Sequence, residues 1–256
     1  MRACRPESGG GEVTIGVDIG TAAVKAIAVD QQGSVLARVR IPHPVHIIEP
    51  DKCEHDAAAA WQEGALHAVA ALGGSSASCV GLGVAACVPS LVALDDDLRP
   101  LSRGLLYGDR RGKDPGPVRP ADIPRSPLDV HEGKADLKWM ARQWPDARAY
   151  WPAQALAAVA LGGEPVIDLF AAMSFFPVFD GVRWDPAELE NLGIRENQLP
   201  RVVLEVGAPA GELAAGSPAG NRVPAAMAAG GVDVVAEQIS INLTEPARCS
   251  SYAVRR

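Results

Sequence analysis

Several things are missing from this chain of 256 residues. It has no CxxC pair: its five cysteines, Cys4, Cys53, Cys79, Cys87 and Cys249, are scattered and odd in number. That argues against a zinc site or a disulfide framework and for free thiols in a reducing compartment, so a cytoplasmic location is expected. There is no basic excess, since the net charge is −7. The electrostatic footprint of a nucleic-acid or anionic-membrane binder is therefore absent, and neither partner is expected. No apolar run reaches the roughly 18 residues that span a bilayer. The first twelve residues, MRACRPESGGGE, carry no apolar segment of the secretory kind and read as a flexible tail. No GxxxxGK[ST] occurs, which excludes a P-loop. Asn242-Leu243-Thr244 matches a glycosylation sequon, but without an export signal it reads as chance. There is no repeat of fixed period.

What is present is a soluble globular composition, 48% hydrophobic and 21% charged, with strand and helix patterns in alternation. Val13–Ile19, Val24–Val29 and Ser34–Arg40 read as three antiparallel strands, with a turn at Gln31-Gln32-Gly33. Asp56 is placed to cap a helix through about Leu72, with Trp61, Ala65, Ala68 and Leu72 on one face. Cys79–Ala86 is a continuous apolar run that fits a strand buried on both faces. Short strands follow at Leu91–Leu94 and Gly104–Tyr107. Residues 112–133 read as a long surface loop. Helices are expected at Lys134–Gln143, Trp151–Leu161 and, capped by Asp185 with Pro186 at its first position, Ala187–Leu192. Ala208–Asn221 reads as a linker. A strand at Val223–Ala229 and a helix from about Val234 come last. The class is mixed α/β. An opening meander does not fit a Rossmann domain, which would place a helix after its first strand.

The meander holds the turn Asp18-Ile19-Gly20-Thr21. An acidic residue beside Gly and Thr fits a phosphate-holding turn, and a tight hairpin with glycine at positive φ explains it equally well. Downstream, Gly230-Gly231-Val232-Asp233 opens a helix, where Asp233 is either an N-cap or a functional carboxylate.

The opening hairpin resembles the phosphate-binding hairpin of the actin-like ATPase superfamily. Five further stretches resemble FGGY-type carbohydrate kinases, xylulokinase-like members above all, in the same order. They are ALDDDLRPLSRGLLYGDRR, GKADLKWMARQWPDARAYW, LGGEPVIDLFAAMS, FDGVRWDPAELENLGIRENQLPRVV and AAMAAGGVDVVAEQI. The resemblance implies an actin-like, ribonuclease H-like fold. It divides the chain into a tail (1–12), an N-terminal kinase domain (13–224) and the opening elements of a truncated second domain (225–256). It also implies ATP-dependent phosphoryl transfer to a sugar or polyol hydroxyl, a pentulose such as xylulose being favoured, with ATP and Mg²⁺ as cofactors.

Site residues carry over position by position. Asp233 would be the catalytic base. Asp18 would face the magnesium and phosphates, joined by Gly20, Thr21 and Lys25; an exposed strand lysine is the plainer account of Lys25. Asp109 and Arg111 would lie on the sugar side, or form a simple surface ion pair, and Val88 and Pro89 stand in the stretch that faces the sugar. There the chain departs from the family: Ala85, Cys87 and Pro89 replace Ser, Gln and His, and Ala22 and Ala23 replace two hydroxyl residues of the phosphate turn. Asp136 replaces a lysine; Asp168 is kept, but Phe170 replaces a serine. With half of the cleft expected to be missing, turnover by this chain should be weak or absent. Alternatives are a non-catalytic kinase-derived module, with a homodimer partner or another chain over the exposed cleft, or a gene fragment.

Overall fold

The computed structural model describes residues 11–49, 52–72, 78–112, 132–213, 215–217 and 225–241. The chain opens with β1 (Glu12–Ile19), β2 (Ala23–Asp30) and β3 (Val35–Pro42), an antiparallel meander. Period-two alternation sets its faces: Val13, Ile15, Val17 and Ile19 of β1 all point into the core. The Asp30 carboxylate accepts from the backbone N–H groups of Gln32 and Ser34, closing the turn between β2 and β3.

A short pair, β4 (His46–Glu49) and β5 (Lys52–His55), leads into a π-helical turn (Ala58–Glu63) and α1 (Gly64–Ala71). Asp56 accepts from the Ala59 N–H at 3.1 Å, as expected of the capping residue. Then come β6 (Ser78–Ala86), β7 (Ser90–Leu94), β8 (Gly104–Leu106), α2 (Glu132–Gln143), β9 (Ala149–Trp151) and α3 (Ala153–Ala160). Next are β10 (Val166–Asp168), α4 (Leu169–Met173), α5 (Pro186–Leu192), β11 (Arg201–Val203) and β12 (Pro209–Leu213). β13 (Ala225–Ala228), β14 (Gly231–Val232) and α6 (Asp233–Ser240) complete the described chain.

The central sheet runs β12-β13-β6-β1-β2-β3, and β14 continues along β6 beyond β13. The pairs β1–β6, β6–β13 and β6–β14 are parallel. A second sheet, β4-β5-β8-β7-β9, lies beside it, and β10 pairs in parallel with β11. The core is filled by Trp61, Leu82, Leu91, Leu94, Leu137 and Phe179, each at most 2% exposed.

Four expectations change. β6 is not buried on both faces: Cys79, Leu82, Val84 and Ala86 enter the core while Gly81, Gly83 and Ala85 are half-buried on the other side. That second face, with Gly16 and Ile27, floors a cavity of about 460 Å³ roofed by Val235 and Ile239 of α6. The predicted helix at Trp151–Leu161 starts two residues late, because Pro152 is its N-cap and Trp151 pairs with Val92 in a strand. Within the expected linker, Pro209–Leu213 is strand β12, held by pairing with β13 and by burial of Ala210 and Leu213, which composition alone does not signal. The tail ends one residue early, Glu12 already being in β1. Most of the 112–133 loop, the sequon and Cys4 and Cys249 lie outside the described residues.

Candidate active site

Parallel pairing of β1 and β6 places their C-terminal ends side by side, Ile19 opposite Ala86. Whatever follows each strand therefore emerges at one edge of the sheet. After β1 comes the turn Gly20–Ala23, closed by the Gly20 N–H donating to the Ala23 carbonyl at 3.1 Å. Gly20 is not among the residues at positive φ, so the hairpin does not need glycine for its backbone. A Cβ there would make ordinary contacts, 3.7 Å to Lys25 Nζ and 3.9 Å to Asp18 Oδ2.

Asp18 and Lys25 are cross-strand partners in the β1–β2 register, which puts both side chains on one face. Lys25 Nζ meets Asp18 Oδ2 at 2.7 Å. Asp18 Oδ1 is buried and has no hydrogen-bond partner among the described residues. The Thr21 hydroxyl is 2.8 Å from the Tyr107 hydroxyl.

Along the other side of β6, Gly231 and Val232 pair with Ala85 and Ala86, and Asp233 follows as the first residue of α6. The helix cap is Val232, which makes no side-chain cap, so Asp233 is not an N-cap; its Oδ1 accepts from the Val234 N–H at 2.7 Å. Burial pushes the Asp233 carboxyl above the usual carboxylate range; the negative charge of Asp18 adds to this and Lys25 opposes it. Cys87, directly after β6, is 2% exposed. Burial, then the charges of Asp233 and Asp18, raise its thiol to about 12. Asp18, Lys25, Cys87 and Asp233 thus share one electrostatic environment at one sheet edge.

Gly230 is required by packing: a Cβ would lie 2.7 Å from Gln154 Cγ of α3. Its N–H donates to the Val166 carbonyl and its carbonyl accepts from the Asp168 N–H, both at 2.9 Å. Asp168 caps α4 by accepting from Ala171 N–H. Its second oxygen is buried without a partner among the described residues, and burial raises its pKa. It belongs to the same cavity wall as Asp18 and Lys25.

The other sequence-derived residues are placed differently. Asp109 is fully buried and Arg111 is 18% exposed, so they are not a surface pair. Arg111 grips both Asp109 oxygens, at 3.1 and 2.7 Å, and reaches Glu54 at 2.6 Å. Asp109 also accepts from the Cys53 N–H, and the guanidinium lies 4.8 Å from the Trp139 ring centre. This clamp ties β5 to the segment after β8 and to α2. Pro89 is buried and Val88 half-buried between β6 and β7, where neither offers a hydrogen-bonding side chain.

Sequence reasoning missed the layer beneath the Gly20–Ala23 turn. His55, fully buried, has Nε2 2.9 Å from the Thr21 carbonyl and receives the Trp61 Nε1–H at Nδ1, 3.0 Å away. Nothing in the spacing of Thr21, His55 and Trp61 announces that they meet, because three elements separated in sequence bring them together.

Residues 13–115 match the family model described as the FGGY family of carbohydrate kinases, N-terminal domain. A xylulose kinase of Staphylococcus epidermidis is 31% identical over 103 residues, covering 39% of this chain and 21% of that protein. Among solved structures, the xylulose kinase from Rhodospirillum rubrum aligns with TM-score 0.74 at 23% identity, over 91% of this chain and 52% of its own. Plasmodium falciparum glycerol kinase with ADP aligns with TM-score 0.73 at 15% identity, over 94% and 52%. The chain thus spans about half the length of these solved kinases. The mixed α/β, actin-like architecture expected from the sequence is the one these kinases share.

Proposed function

We propose, from a chain whose residues 13–115 carry the N-terminal domain of the FGGY carbohydrate-kinase family, that this site serves ATP-dependent phosphoryl transfer to a sugar or polyol hydroxyl, with a pentulose such as xylulose as acceptor. The observation that carries the reading is the convergence, on either side of β6, of Asp18 near the end of β1 with Lys25 opposite it on β2, and Asp233 directly after β14. Such transfer needs an oriented hydroxyl, an acceptor for its proton and neutralisation of phosphate charge.

Asp233 would take the proton from the acceptor hydroxyl. One of its oxygens is anchored by the Val234 N–H, which leaves the other to face the hydroxyl. The raised pKa makes it a stronger base than an exposed carboxylate. ATP with magnesium, when bound, supplies the phosphoryl group and offsets its charge. The donor set fits that cation: Mg²⁺ is usually held by one or two carboxylates, often through water, and Asp18 offers a buried oxygen without a partner among the described residues. Lys25 and the Thr21 backbone N–H would donate to phosphate oxygens, the Gly20 N–H being held by the Ala23 carbonyl. The Asp109–Arg111 clamp would hold the acceptor side in shape, and Val88 and Pro89 would bound it with apolar surface.

A coupled ADP-release assay on the full chain with xylulose, ribulose and glycerol tests this. The expected result is acceptor-dependent turnover that falls at least about 100-fold in Asp233→Ala, the usual scale for a general base. Turnover equal in the variant removes Asp233 from that role; no turnover with any acceptor, together with no thermal stabilisation by MgATP or by any acceptor, overturns the kinase reading for this chain. A second reading, a kinase-derived module that binds without turnover, draws on the apolar Cys87-Val88-Pro89 stretch in the acceptor wall. Its mark is acceptor-induced thermal stabilisation without ADP release.

A further inference from the structure

We propose that His55 is a positioning residue for the phosphate turn, holding the Thr21 peptide through one fixed tautomer. The proposal rests on the reading of Gly20–Ala23 as a phosphate turn. The hydrogen-bond logic is independent of that reading.

Trp61 can only donate through its indole nitrogen. It points that N–H at His55 Nδ1, 3.0 Å away, so Nδ1 must present its lone pair. The ring proton is then on Nε2, and the group 2.9 Å from it, the Thr21 carbonyl, can only accept. Tautomer, ring orientation and carbonyl orientation are set by one chain of donors running from the π-helical turn, through the end of β5, to the tip of the β1–β2 hairpin.

The chain is anchored at its far end. Trp61 is fully buried, and Gly104 of β8 lies so close that any side chain there would enter the indole. The His43 ring stands edge-on to His55 at 4.5 Å, and the backbone N–H of His43 donates to the Ala22 carbonyl at 3.2 Å. The carbonyls of Thr21 and Ala22 are thereby both drawn toward protein donors. A peptide whose carbonyl is drawn to one side holds its N–H toward the other, which is what a turn receiving phosphate oxygens requires. A protonated His55 would set an N–H against the indole N–H and break the chain. Burial, opposed only in part by the Thr21 carbonyl and helped by the nearby His43 and His46, keeps the ring neutral down to about pH 4.

The test uses the full chain and three variants: His55→Leu, which removes donor and acceptor, His55→Gln, whose amide can replace both, and Trp61→Phe, which removes the indole donor. Nitrogen-15 histidine NMR should show one neutral tautomer, protonated at Nε2, between pH 7 and 5, and mixed tautomers in Trp61→Phe. Amide hydrogen exchange over Gly20–Ala23 should accelerate at least tenfold in His55→Leu and return to within threefold of the parent in His55→Gln. Calorimetry with MgADP should show the same order, with affinity at least tenfold weaker in His55→Leu and near the parent value in His55→Gln.

An Nδ1-protonated ring, or exchange in His55→Leu that matches the parent, overturns the proposal. If His55→Leu does not fold, the tautomer and the His55→Gln exchange decide it. A parent chain that does not bind MgADP counts against the kinase reading alone, because tautomer and exchange are read without nucleotide.

Discussion

Substituting Gly104 with alanine tests the packing under the site most directly. The new Cβ would overlap Cη2 and Cζ2 of Trp61 and stand 2.8 Å from Cζ3, where carbon–carbon contacts are ordinarily about 3.5–4.0 Å. The indole is fully buried. It would have to shift by about 1.5 Å, and overpacking of that kind typically costs about 1–3 kcal/mol. The shift also breaks the Trp61–His55 hydrogen bond, leaving a buried donor unpaired for about 1–3 kcal/mol more. Together, about 2–6 kcal/mol should be lost. In urea, with a slope of about 3 kcal/mol/M, the midpoint should fall by about 1–2 M. The measurement is equilibrium unfolding followed by far-ultraviolet circular dichroism. Trp61→Phe removes the atoms that clash. In that background Gly104→Ala should cost less than about 1 kcal/mol, and the difference is the coupling between the two sites. A midpoint within about 0.2 M of the parent, or equal costs in both backgrounds, would refute the packing argument.

Two further outcomes are expected. His55 has a folded-state pKa of about 4 against an ordinary 6.5, so the unfolded chain takes up its proton first as pH falls. Its contribution is therefore complete above about pH 6.5 and is lost toward pH 4. Stability measured at pH 5 should be lower than at pH 7 by about 2 kcal/mol from this group, a difference that His55→Gln abolishes. Asp168 and Asp233, with raised pKa values, act in the opposite direction at lower pH, so a loss unchanged in His55→Gln would assign it to other groups. Asp185 caps α5 by accepting from the Ala187 and Glu188 N–H groups at 2.7 and 3.3 Å. Asp185→Ala should cost about 1 kcal/mol, or about 2–4 °C in melting temperature, and an unchanged melting curve would contradict a working cap.

The local pattern was legible wherever one face of an element meets the core and the other does not. The β1–β2–β3 meander, the helix after Asp56 and the Asp185-Pro186 start of α5 follow from alternation, periodicity and capping. Reading failed where pairing with a distant strand overrides composition. β12 looks like linker because Pro209, Ala210 and Gly211 carry no strand propensity, yet β13 supplies the hydrogen bonds and the core takes Leu213. β6 looks doubly buried because Gly and Ala count as apolar, although they are present on its second face for want of bulk rather than for contact with the core.

The candidate site divides along the same line. By itself the sequence determined that Asp18 stands at the end of a strand and Asp233 at the opening end of a helix, because turn chemistry and strand patterns are local. Only the tertiary structure decided that those ends are neighbours, through the parallel register of β1, β6 and β14. It also buried Asp109 and Arg111 as a clamp, ruling out the surface pair that the sequence left open, and set Trp61 and His55 beneath Thr21. The physical reason is common to all three. Burial and hydrogen-bond partners belong to pairs of residues, and a pair separated by dozens of positions has no signature until the chain has folded.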